Sequence, residues 1–248
     1  MNAKILEHYK EIIAEDIQYL KNSSIRSSLE SYKEHFEKET AKIESKDDRN
    51  HNLNYLKSFY IESISALEEN ESEKNEIIKN AILGLEKIKN ESFVKSICEQ
   101  LINSIEKFKL KQEYESFNGL FFELDSSPSF TGIAFKEPKF EIILHESKYI
   151  EFEDGSYACD YSLEFELEEV FEKIIGEEFE EIAWQFEYEL DIFKRIKNTA
   201  YNIVAINLHK AIHSKNINEK LNALGFEKNG VVYFNEHDME VKSVYVNE

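Results

Sequence analysis

A single glycine, Gly84, and no proline interrupt the first 117 residues of the chain. These two residue types break helices most strongly, so a stretch this long without them can fold into little besides consecutive helices. The apolar spacing agrees. Ile5, Leu6, Tyr9, Ile12, Ile13, Ile17 and Leu20 recur at the three- and four-residue intervals that place one stripe on one helix face. Ile25, Leu29, Tyr32, Phe36 and Ile43 predict a second helix, opened by the cap candidates Asn22, Ser23 and Ser24. After a polar break over 46–52, Leu53, Leu56, Phe59, Tyr60, Ile64 and Leu67 predict a third. A fourth runs through Ile77, Ile78, Ala81, Ile82, Leu85 and Ile88, and a fifth through Phe93, Val94, Ile97, Leu101, Ile102, Ile105 and Phe108. Residues 1–117 therefore read as a bundle or array of about five helices joined by short polar turns.

The other six glycines and both prolines lie beyond this stretch, and the periodicity changes with them. Short aromatic and β-branched runs at 119–125, 130–136, 139–147 and 149–153 are separated by turn residues, which are strand and hairpin signals. Tyr161, Leu163, Phe165 and Leu167 alternate with Ser162, Glu164, Glu166 and Glu168, as a half-buried strand does. Turn-length connections between consecutive strands predict an antiparallel sheet. Helical spacing returns from Val170 to Ile196, continues in the nearly all-apolar run 200–212, and ends in a short helix stopped by Gly225. Residues 231–234 and 241–246 suit a final hairpin. The fold class expected is α+β: a helical region 1–117, then a mixed region 118–248 with an antiparallel sheet and C-terminal helices, the two forming separate domains or one compact unit.

A chain of 248 residues with 42% hydrophobic content can bury an ample core without disulfide or metal. Cys98 and Cys159 are far apart and lie in no metal-binding or redox spacing, which suits a reducing compartment. Acids run through the amphipathic start of the chain, and no run of 18 apolar residues occurs, so neither a signal peptide nor a membrane span is expected. Cytoplasmic location is the expectation, and the abundance of Lys, Glu, Ile and Asn suggests an AT-rich bacterial genome.

Charge is concentrated rather than spread. Residues 151–191 hold 16 acids against Lys173 alone, giving −15 of the formal net charge of −20. On one strand face, Glu164, Glu166 and Glu168 would stand about 6.6 Å apart and repel by roughly 0.6 kcal/mol per adjacent pair even in bulk water. Glu177, Glu178, Glu180 and Glu181 crowd the following helix, and nine aromatics, Trp184 among them, share the segment. Folding does not require such crowding, but a surface that meets cations would use it. The partner expected is a basic protein, steered by Glu164, Glu166, Glu168, Glu169, Glu177, Glu178, Glu180 and Glu181 and anchored on Trp184. The plainer account is a solvated Glu-rich face with its aromatics in the core.

Other chemistry finds little support. His209 and His213, at i and i+4 on one helix face, could grip a metal with a third ligand from Glu236, His237 or Asp238. Lys210, however, stands where the metalloprotease pattern needs Glu. No phosphate loop or nucleophile elbow is present, and acids beside Cys159 would suppress its thiolate. Direct nucleic-acid or membrane binding fails on the sign of the charge. Lys194, Arg195 and Lys197 read as favourable charge at the end of a helix that begins acidic. No cofactor is expected. In size, acidity and lack of catalytic pattern the chain resembles bacterial immunity proteins and antitoxins. That likeness implies a non-enzymatic inhibitor of a basic partner such as a nuclease toxin, whose Lys/Arg groove the carboxylates would fill in place of phosphates. The alternatives are a helical scaffold or adaptor with no inhibitory role, and a metal-dependent hydrolase using His209 and His213.

Overall fold

Ser24 opens the helix Ile25–Ala41 (α2) with a reciprocal cap: its hydroxyl accepts from the Ser27 N–H at 3.1 Å, and the Ser27 hydroxyl accepts from the Ser24 N–H at 2.8 Å. Two N–H groups that lack helical partners are satisfied in this way. The next helix, Lys46–Glu68 (α3), starts earlier than its apolar spacing predicts. The polar stretch 46–52 is its opening rather than a break. Ser45 caps it by accepting from the Asp48 N–H, and Asp47 and Asp48 set negative charge against the positive end of the helix dipole.

The computed structural model describes residues 1–89, 91–108, 110–111, 113–124, 129–137, 139, 141–144, 155–164, 173–236 and 241–248. Among them, α1 (Asn2–Lys21), α4 (Glu71–Ile88) and α5 (Glu91–Lys107) complete the five N-terminal helices. Then follow β1 (Phe117–Leu124), β2 (Ser129–Phe135), β3 (Tyr157–Glu164), α6 (Glu177–Gln185), α7 (Asp191–His213), α8 (Lys215–Ala223), β4 (Phe226–Glu236) and β5 (Lys242–Val246). The fold is α+β. No helix among the described residues is long and apolar enough to cross a membrane. The chain forms two compact units, one from Met1–Ile13, Ile88–Glu168 and Tyr201–Glu248, the other from Ala14–Lys87 and Glu169–Ala200.

The first unit holds the sheet, in the order β3-β2-β1-β4-β5. β1–β2, β2–β3 and β4–β5 are antiparallel as the sequence leads one to expect, but β1–β4 is parallel, so the sheet is mixed. Between β1 and β4 the chain passes through β2, β3, α6, α7 and α8, a connection long enough for the crossover that parallel pairing needs. β3 takes the edge of β2, the place that the strand expected over 139–147, following β2, would otherwise fill. Its described residues, 139 and 141–144, lie outside the ladder. There the Ile143 N–H donates to the Ser243 hydroxyl, the Ile143 carbonyl accepts from the Ser243 N–H, and the Tyr233 hydroxyl donates to the Glu141 carbonyl. The expected strand 149–153 lies outside the described residues.

α5 belongs with this sheet. Phe93, Ile97 and Leu101 on its apolar stripe are buried, and so are Leu120, Phe122, Val232 and Phe234 on the strands. Each such side chain stabilises the fold by about 1.5–3 kcal/mol relative to exposure. The second half of α7, Ala200 to Ile212, is buried almost all round, as its composition predicts.

In the second unit, α2 and α3 form an antiparallel pair. Tyr32 meets Phe59 at 5.1 Å between ring centroids, and Phe36 meets Tyr55 at 5.9 Å. The first part of α7 joins this unit. Buried Asp16 accepts from the Arg195 guanidinium and, at 3.2 Å, from the Thr199 hydroxyl, while Arg195 lies 4.4 Å from the centre of the Tyr19 ring.

Candidate partner-binding face

Glu177, Glu178 and Glu180 occupy the first turn of α6, where unpaired backbone N–H groups favour carboxylates. Part of the acidic crowding thus has a local structural reason. The helix is amphipathic: Phe179, Ile182 and Ala183 are buried, and Phe179 meets Phe193 edge-on at 5.9 Å. Glu177, Glu178, Glu181 and Trp184 occupy the exposed side, and Trp184 leaves 73% of its surface open to solvent. Glu180 is half-buried and paired with Lys197 at 3.4 Å. Glu177, Glu178 and Glu181 have no ion-pair partner among the described residues.

The sequence predicts helical spacing unbroken through Phe186 and Leu190, but the structure breaks it there. α6 ends in a Schellman turn: the Tyr188 N–H donates to the Ala183 carbonyl and the Glu187 N–H to the Trp184 carbonyl, each at 2.9 Å. The residue after the cap in this motif sits in the left-handed region, normally as glycine. Here Glu187 (φ 50°) and Tyr188 (φ 54°) both adopt it. For side-chain-bearing residues that conformation costs roughly 1–2 kcal/mol each. The turn sets the Tyr188 ring edge-on to Trp184 at 5.7 Å and presents the Glu187 carboxylate to the Tyr55 hydroxyl, which donates to it at 2.9 Å. Burial, and after it this hydrogen bond, push the Tyr55 phenol up to about 12, so it remains a donor throughout the neutral range.

Because the helix breaks at 186–190, Lys194, Arg195 and Lys197 are not at a helix end as expected. They lie in the first turns of α7, where they pair with Glu189 at 3.6 Å, with Asp16, and with Glu180 respectively. The structure thus gathers Glu177, Glu178, Glu180, Glu181 and Trp184 on one helix. Glu164 ends the edge strand β3, in the sheet-bearing unit. Glu166, Glu168 and Glu169 lie outside the described residues. Sequence reading missed Glu187 and Tyr188 as parts of the face, because no glycine or asparagine marks the turn that positions them.

The His209–His213 pair sits in the sheet-bearing unit with ring centroids 5.9 Å apart. His209 is buried and donates from Nδ1 to the Val244 carbonyl at 2.6 Å, while burial lowers its pKa and keeps the ring neutral. Tyr245 packs edge-on against it at 5.7 Å. Among the described residues no group of three or more His, Cys, Asp or Glu is placed to hold a metal. The Glu236 side chain, His237 and Asp238 lie outside them. Both cysteines are free, and burial raises the Cys98 thiol pKa, which disfavours its thiolate. No known protein family, curated protein or solved structure matches the chain.

Proposed function

We propose that the chain is a non-enzymatic acidic binding protein that engages a basic protein partner through the outward face of α6, in the manner of an immunity protein or antitoxin. The partner class is a protein with a Lys/Arg-lined groove, such as a nuclease toxin. The observation that supports this reading is the exposed Trp184, braced by Tyr188 on a costly turn and flanked by Glu177, Glu178 and Glu181. An indole beside carboxylates that have no ion-pair partner among the described residues offers an arginine both stacking and charge, and exposed tryptophans are frequent energetic centres of interfaces. The test is capture of partners by the purified chain, followed by identification of what is bound. A basic protein should be retained at low salt, released at high salt, and lost to a Glu177→Lys/Glu178→Lys/Glu181→Lys/Trp184→Ala variant. Retention of the same partner by that variant at any salt refutes the reading.

A second reading, a helical adaptor, is favoured by three large apolar side chains left open on α3 and α4: Leu53 (41% exposed), Ile61 (57%) and Leu83 (51%). Single exposed apolar residues are ordinary. Ile61→Asp and Leu83→Asp distinguish the two: they should leave capture intact if α6 is the interface and abolish it if the helices are.

A further inference from the structure

The register between β1 and β4 jumps: Phe117 pairs with Phe226, but Gly119 pairs with Val231, so residues 227–230 bulge out of the ladder. Asn247 holds this bulge. It accepts from the Asn229 N–H at 2.6 Å and donates from its own N–H to the Gly230 carbonyl at 2.9 Å, and its side-chain amide donates to the Phe226 and Glu227 carbonyls. Asn229 is left-handed at φ 66°. A Cβ on Gly230 would lie 2.5 Å from the Phe226 ring and 2.9 Å from the Glu227 carbonyl oxygen, so no other residue fits. Bulges secured to this degree commonly re-aim side chains beside a site.

A cavity of about 500 Å³ lies against this bulge. Val231, Val246 and Ile142 give it apolar walls, and Lys139, Lys228 and Asn229 line it too. Its two carboxylates are already engaged. Glu227 accepts from Lys136 and from the Ser116 hydroxyl at 2.6 Å, and Glu248 pairs with the Met1 ammonium. Lys139 and Lys228 have no ion-pair partner among the described residues, and both are exposed. Two lysines with no ion-pair partner among the described residues therefore line one cavity of a chain whose net charge is −20.

We propose that this cavity binds a small amphipathic anion, an apolar body carrying a carboxylate or phosphate head. The lysines hold the head and the Val231, Val246 and Ile142 walls take the body, the usual division of labour in a small-molecule site. Isothermal titration of the full chain with octanoate and with octyl phosphate tests it, against octyl glucoside and octyltrimethylammonium, which carry the same apolar body. Saturable binding of at least one anion is expected, with the tighter of the two identifying the head, and with a loss of about tenfold or more in Lys139→Gln/Lys228→Gln. That double variant should melt at the unchanged temperature, and Lys46→Gln/Lys57→Gln should bind as the parent does. Equal binding of the neutral or cationic octyl compound, unchanged affinity in Lys139→Gln/Lys228→Gln, or no heat from either anion at millimolar concentration overturns it.

Discussion

Helices α8 and α6 both end in left-handed backbone, and they do so with opposite chemistry. After α8 the residue is Gly225 at φ 99°, which pays no side-chain penalty and also permits the close approach of the Glu115 carbonyl, 2.5 Å from where a Cβ would be. After α6 the residues are Glu187 and Tyr188, which are penalised for the same geometry. At the first end the residue is chosen for the backbone. At the second the backbone is strained to suit the side chains, because only with them there does Tyr188 meet Trp184 and Glu187 meet Tyr55. Strain kept where a glycine would remove it marks a place where the side chains matter.

The largest effect should come from Gly225→Ala. It adds a left-handed penalty and a backbone clash, for a loss of about 2–4 kcal/mol in chemical denaturation. A loss under about 0.5 kcal/mol would mean that the two ends are equivalent. Trp184→Ala should then separate binding from folding: stability unchanged within about 0.5 kcal/mol, affinity for the captured partner down by about 2 kcal/mol. Glu187→Gly, made in a Tyr55→Phe background so that no hydrogen bond is lost with it, should stabilise by about 1 kcal/mol as the strain is released. Destabilisation in that background would show that the turn stores none.

The smallest effect concerns pH. His209 has its pKa lowered in the fold, so below about 6.5 the unfolded chain takes up a proton that the native ring refuses. Stability should therefore fall as pH drops through that range. His209→Gln should flatten the slope between neutral and mildly acid pH in denaturation series, and an unaltered slope would assign the dependence to other groups.

Local signals were legible in the sequence, and distant ones were not. The five N-terminal helices, the Ser24 cap and the stop at Gly225 each depend on residues within a turn of one another, and all were readable. The parallel partnership of β1 with β4 depends on where a long connection returns, which no local pattern encodes. The opening of α3 was read as a break because polar residues look like loop until Ser45 is recognised as their cap. At the candidate face, Trp184 and the glutamates were visible as composition. That Glu180 is paired, while Glu177, Glu178 and Glu181 have no ion-pair partner among the described residues, required knowing that Lys197 comes back alongside α6. The cavity at the β4 bulge left no trace, since Lys139 and Lys228 are far apart in the chain.

Asn2 donates from its side-chain amide to the Val246 carbonyl at 2.7 Å, and its amide oxygen accepts from the Val246 N–H at 2.9 Å. One asparagine thus imitates a whole peptide unit against β5, and further along the Ile143 carbonyl accepts from the Ser243 N–H while the Ile143 N–H donates to the Ser243 hydroxyl. Backbone groups of an outer strand that are already occupied, here at Val246 and Ser243, are withdrawn as a template for another molecule's strand. At those positions of the flank the sheet is closed, and a fibre growing strand by strand would lose its footholds there.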